Sequence, residues 1–153
     1  MNTYSSMDTP FGQIILSASE YYLLGIDLFN TQTGVGCQLS PITQHLSTEL
    51  NDFFEQAHNA WSIPLMYAGT DFQQRVWQYL RTIPIGETRN YSEVASALNT
   101  SARAVGNACR ANPFPIIIPC HRVVSKSGLG GFAGKSDGHE MTVKQWLLDH
   151  ERK

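Results

Sequence analysis

Two stretches near the start of the chain, Thr9–Ser19 (TPFGQIILSAS) and Tyr21–Phe29 (YYLLGIDLF), are rich in β-branched and aromatic residues. Ser, Glu and Gly25 interrupt them, and the pattern predicts two strands in a hairpin. Ser40-Pro41 then supplies an N-cap and a proline at the first helical position. Leu46, Leu50, Phe53, Phe54 and Ala57 follow at three- and four-residue spacing, which predicts one buried helix face. Trp61–Tyr67 (WSIPLMY) reads as a further strand, confined to a sheet edge by Pro64. Together these elements predict a small α+β unit that ends near Ala68-Gly69.

From Thr70 the period changes. Thr70 and Gln73 form a capping box, and Phe72, Val76, Leu80 and Ile83 make one apolar stripe. Ile83–Arg89 (IPIGETR) is a turn. Asn90 and Glu93 form a second capping box that opens a short helix through Ala97. Asn99-Thr100 breaks it, and Ser101 caps a further helix that Asn112-Pro113 ends. Two short helices joined by a tight polar turn make a helix-turn-helix pattern, with Arg103 in the first turn of the second helix and Arg110 near its end. Plain helical packing produces the same pattern. Arg75, Arg81 and Arg110 either touch phosphate or only solvate a helix face. The closing segment from Val143 is amphipathic, with Val143, Trp146, Leu147 and His150 directed inward.

The 153 residues, 42% apolar and 16% charged, suit one or two small globular domains, here 1–68 and 69–153. The net charge of -2 hides an asymmetry. No Lys or Arg occurs before position 75, whereas all eleven lie from Arg75 onward. Such a chain can offer one half to a polyanion and hold the other clear. Three cysteines, an odd number, argue against a disulfide framework and for a reducing compartment, so a cytoplasmic location is expected. No signal peptide is expected, and no stretch approaches the roughly 20 apolar residues of a membrane span.

The chemistry concentrates at Ile116–Val124 (IIIPCHRVV), where an apolar run delivers Cys120, His121 and Arg122. A free cysteine is usually an inert small hydrophobe. Adjacent His and Arg favour the thiolate, which is the nucleophilic form. On a strand, successive side chains point to opposite faces, so His121 would reach Cys120 only around a turn or through a water. Cys37 and Cys109 read as ordinary small residues. His45, His58 and His139 read as surface or cap residues, and Trp61, Trp77 and Trp146 as core.

In order and approximate spacing, GTDFQQRVW, IPIGETRNYSEVA, SARAVGNACRANPFPIIIPCHRVV, GFAGK and VKQWLLDHE resemble the O6-alkylguanine-DNA alkyltransferases. The resemblance covers residues 69–151 well. It covers 1–68 weakly, chiefly through TPFG. It implies an α+β fold, with a small N-terminal sheet-plus-helix unit and a mostly helical C-terminal domain bearing a winged helix-turn-helix. It also implies a single-use methyltransferase that repairs duplex DNA by taking an alkyl group from O6 of guanine, with O4 of thymine left open. Position by position, Cys120 corresponds to the alkyl acceptor, His121 to a base acting through a water, and Glu151 to the carboxylate that orients it. Asn112 corresponds to a brace of the turn near Cys120. Tyr91 corresponds to a contact with guanine N3, and Arg103 to a finger that fills the gap left by the extruded base. Arg122 falls among the substrate and DNA contacts. The backbone around Val123 corresponds to carbonyls that read the guanine amino group, and Ala133 to a backbone N–H facing O6. The implied partner is double-stranded DNA with O6-alkylguanine. No cofactor, metal or membrane is implied, and the chain is expected to be monomeric.

Several positions depart from the family pattern. Asp71 replaces a frequent proline, Asn107 a small residue, and Phe132 a tyrosine, while 135–141 is longer. Some relatives bind zinc in the N-terminal unit, but Cys37, His45 and His58 lack metal-like spacing, so no zinc is expected. Three other readings compete. A non-catalytic alkylguanine sensor of the same fold would lack the acceptor cysteine, which is present. A helix-turn-helix transcription regulator would need base-reading side chains, yet Ala102, Ala104, Val105, Gly106 and Ala108 are small or apolar. A Cys-His hydrolase would turn over repeatedly.

Overall fold

A computed structural model of the chain describes residues 2–29, 36, 39–135 and 137–153. The chain divides into two compact units, Met1–Ala68 and Gly69–Lys153.

The first unit is a three-stranded antiparallel sheet, β1 (Thr3–Thr9), β2 (Gly12–Ala18) and β3 (Leu23–Asp27), in that order. Helix α1 (Pro41–Glu55) packs on it. The expected hairpin is β2–β3. Strand β1 was not expected, because TYSSMDT carries no apolar run; it is a strand through its pairing with β2, from Thr3↔Ala18 to Thr9↔Gly12. Ile14, Leu16 and Ala18 alternate onto one face of β2 and are fully buried, as are Leu46, Leu50 and Phe53 of α1. Ser40 caps α1 reciprocally with Thr43, and the helix stops at Glu55, so Ala57 lies beyond it.

Trp61–Tyr67 does not form the expected strand. Its pairing is a single parallel bridge, Leu23↔Leu65, flanked by Pro64, which has no N–H to extend a ladder. The Glu49 carboxylate holds this segment instead, accepting bonds from the Ser62 and Ile63 N–H groups at 2.8 and 3.1 Å. His45 bonds Ser62 and His58 bonds the Glu49 carbonyl. Cys37 lies outside the described residues. Among the described residues, no group of three His, Cys, Asp or Glu side chains could hold a metal.

The second unit contains α2 (Asp71–Leu80), β4 (Arg89–Asn90), α3 (Tyr91–Leu98), α4 (Ala102–Arg110), β5 (Val123–Val124) and α5 (His139–Glu151). Both predicted capping boxes form, Thr70 with Gln73 and Asn90 with Glu93, and Ser101 caps α4. Asn99, in the left-handed region at φ 56°, makes the tight turn between α3 and α4. Buried Trp77 donates its indole N–H to the Ala108 carbonyl at 2.8 Å and so ties α2 to α4. Val105 and Ala108 are buried beneath α4, while Arg103 and Asn107 are exposed. Strands β4 and β5 pair in parallel, Arg89↔Val123 and Asn90↔Val124, which fixes the start of α3 beside the segment after Cys120. Helix α5 begins at His139, earlier than Val143, and packs on the turn at Cys120–Arg122.

Candidate active site

The run from Asn112 to Val124 is folded into turns, not extended. Asn112 ends α4, and its side-chain carbonyl accepts the Phe114 N–H at 2.9 Å. Its amide donates to the Ile118 carbonyl at 2.8 Å and to Cys120 Sγ at 3.3 Å. Ile116 sits at φ 79°, where a β-branched residue costs about 1–2 kcal/mol. The Asn112 bonds and an Ile118 N–H to Phe114 carbonyl bond of 2.9 Å hold it there.

This turn feeds Cys120–Arg122 into one turn of 3-10 helix. Successive side chains in such a helix diverge by about 120°, not by the 180° expected of a strand. Cys120 therefore faces a cleft, while His121 and Arg122 turn into the protein. The cleft, of about 100 Å³, is lined by Tyr91, Gly106, Cys109, Arg110, Cys120 and the loop Gly131–Gly134. Cys120 is 7% exposed, so the cleft is the route to its sulfur.

Behind Cys120, His121 and Arg122 converge on Glu151 at the end of α5. His121 Nε2 lies 2.9 Å from Glu151 Oε2. Arg122 donates from Nε to Oε1 at 2.9 Å and from Nη2 to Oε2 at 2.7 Å. Its Nη1 donates to the Ile83 carbonyl at 2.6 Å. Burial alone would raise the Glu151 carboxyl, but the bonds from His121 and Arg122 outweigh it and hold the group at about 2. Burial pushes the His121 imidazole down despite Glu151. The ring is then neutral, and an ionised Glu151 can only accept, so Nε2 carries the proton and Nδ1 presents a lone pair. Among the described residues, Nδ1 has no hydrogen-bond partner. Burial pushes the Cys120 thiol up, while the Asn112 bond and the charge of Lys144 pull it down.

Lys144 is fully buried on α5. Its ammonium donates to the carbonyls of Val123, Leu129 and Gly131, which fastens the cleft loop to the helix. Burial lowers its pKa to about 8. Tyr91 reaches the Gly131 carbonyl at 3.5 Å, and burial raises its phenol to about 12. Gly130, at φ 74°, lies against this ring; a Cβ there would stand 2.9 Å from Tyr91 Cε2.

The model of the 6-O-methylguanine DNA methyltransferase DNA-binding domain matches residues 71–153. The constitutive methylated-DNA–protein-cysteine methyltransferase of Bacillus subtilis is 36% identical over 163 aligned positions, covering 99% of this chain and 96% of that protein. The chain belongs to the methylated-DNA–protein-cysteine methyltransferase family. Solved structures agree with this membership. The Mycobacterium tuberculosis O6-methylguanine methyltransferase superposes with a TM-score of 0.84 at 33% identity, covering 99% of this chain and 93% of that one. The same organism's protein in complex with DNA gives 0.82 at 37% identity, covering 98% and 92%.

Within this methyltransferase, Cys120, Tyr91 and Ala133 share the cleft wall. Ala133, at φ 52°, donates its N–H to no described residue. His121, Glu151 and Asn112 surround the turn at Cys120, and Arg103 stands exposed on α4. Arg122 requires correction. It was placed among the substrate and DNA contacts, but it is 1% exposed and its guanidinium donates to Glu151 and Ile83. The Val123 carbonyl accepts one bond from Lys144, at 2.8 Å. Cys109, read as an ordinary small residue, lines the cleft. Lys144 was missed because a lysine on an amphipathic helix reads as solvated. Its spacing to Leu148 and Glu151, four and seven residues on, was the available sign that it lies on a buried stripe.

Proposed function

We propose that this chain repairs duplex DNA by accepting one alkyl group from O6 of guanine onto Cys120. The observation that carries the reading is a cleft-facing sulfur followed directly in the chain by a neutral, anchored imidazole whose Nδ1 is unpartnered among the described residues. In the proposed reaction, exposed Arg103 on α4 enters the duplex and fills the gap as the damaged nucleotide rotates into the cleft. The Cys120 proton passes through a water to His121 Nδ1. The resulting imidazolium is stabilised by Glu151, which Arg122 keeps ionised. The sulfur displaces guanine at the alkyl carbon, so an S–C bond forms as the C–O6 bond breaks and the electron pair leaves on guanine. Tyr91 at N3 and the Ala133 N–H at O6 meet the charge that develops there.

A thioether is not hydrolysed, so the acceptor is consumed. The same reading has the chain act as a monomer on cytoplasmic DNA. Titrating limiting protein with excess duplex bearing O6-methylguanine tests it. Repair should plateau at one lesion per chain. Continued turnover would rule out the single-use reaction.

A further inference from the structure

We propose that Arg110 makes the acceptor cleft selective for alkyl groups that carry a carboxylate. The inference rests on the alkyl-transfer reading of Cys120. Arg110 is the last residue of α4 and lines the same cleft as Cys120. Its side chain crosses from the helix to the loop opposite and lies over Gly134. A Cβ on that glycine would stand 2.7 Å from Arg110 Nε and 3.1 Å from Cζ. Gly134 is at φ 79° and leaves this space open.

The guanidinium has no hydrogen bond or ion pair with any described residue. Four other cations of this unit are engaged: Arg122 with Glu151, Arg75 with the Leu98 carbonyl, Arg89 with Glu87, and Lys144 with its three carbonyls. No residue lining the cleft is acidic. Arg110 is exposed at the cleft wall, and its free guanidinium creates a positive potential that a carboxylate can satisfy with two parallel hydrogen bonds. A methyl group gains nothing from it. Arg103, seven residues earlier on the same helix face, lines no part of the cleft and stands free for the DNA itself.

Single-turnover rates on three duplexes of one sequence test this, bearing O6-methyl-, O6-carboxymethyl- and O6-carbamoylmethylguanine. The carbamoylmethyl group matches the carboxymethyl group in shape without its charge. Arg110→Gln should lower the carboxymethyl rate about tenfold more than either neutral rate, and Arg110→Lys should restore part of the difference. An equal loss on all three duplexes would assign Arg110 to the phosphate backbone or to folding and overturn the proposal, as would no change in the ratios. If the unaltered protein transfers no methyl group to Cys120, the alkyl-transfer reading itself fails, and the ratios are not the cause.

Discussion

Arg122 meets Glu151 through two hydrogen bonds of 2.9 and 2.7 Å, and both side chains are 1% exposed. The two residues that follow Cys120 thus converge on one carboxylate, His121 as a neutral donor and Arg122 as a full charge. Arg122 keeps Glu151 ionised, and Glu151 in turn fixes which nitrogen of His121 carries its proton.

Removing the carboxylate charge leaves the Arg122 guanidinium buried without a counter-ion. Glu151→Gln should therefore lose about 3–5 kcal/mol of unfolding free energy in a denaturant titration. The pair also sets a pH dependence. The Glu151 pKa is lowered from 4.5 to about 2, so between those values the unfolded chain binds more protons than the folded one. Its contribution is present above pH 4.5 and is lost as pH falls through about 2. Glu151→Gln should flatten that part of the stability profile, and an unchanged acid slope would contradict the assignment.

Lys144→Met removes the donor from three carbonyls at once. It should destabilise the protein by roughly 1–3 kcal/mol and increase amide exchange across 123–131 more than elsewhere. Methyl transfer should slow as the cleft wall loosens. Uniform exchange changes would show that Lys144 has no special hold on the loop.

Gly130→Ala places a Cβ at a positive φ and against Tyr91. It should cost about 1–2 kcal/mol and slow methyl transfer by displacing the phenol. Gly128→Ala, whose Cβ would meet nothing nearer than 4.0 Å, should stay within about 0.5 kcal/mol of the parent. Similar melting and transfer rates for the two variants would remove the argument for a required glycine.

How much was legible in the sequence follows from the reach of each interaction. The capping boxes at Thr70 and Asn90 act over three residues, so their spacing announced the helices. Strand β1 was hidden because its burial comes from pairing with β2 and not from its own residues. The turn at Cys120 was read as strand-like because IIIPCHRVV is β-branched. Asn112, eight residues before the sulfur, and the positive φ of Ile116 override that propensity. Arg122 was misplaced and Lys144 missed for one reason. A charge reads as solvated until its partner is known, and their partners lie 13 to 39 residues away.

Arg103→Ala should reduce repair of duplex O6-methylguanine about tenfold or more relative to reaction with free O6-alkylated guanine base. The free base needs no extrusion from a stack, so equal losses on both substrates would remove the finger role.

The most direct test of the central claim is intact mass and peptide mapping after incubation with a duplex bearing isotopically labelled O6-methylguanine. The chain should gain one labelled methyl group, carried on Cys120, and Cys120→Ser should gain none. Label on Cys109 or Cys37, or no covalent label despite loss of the lesion, would contradict the account.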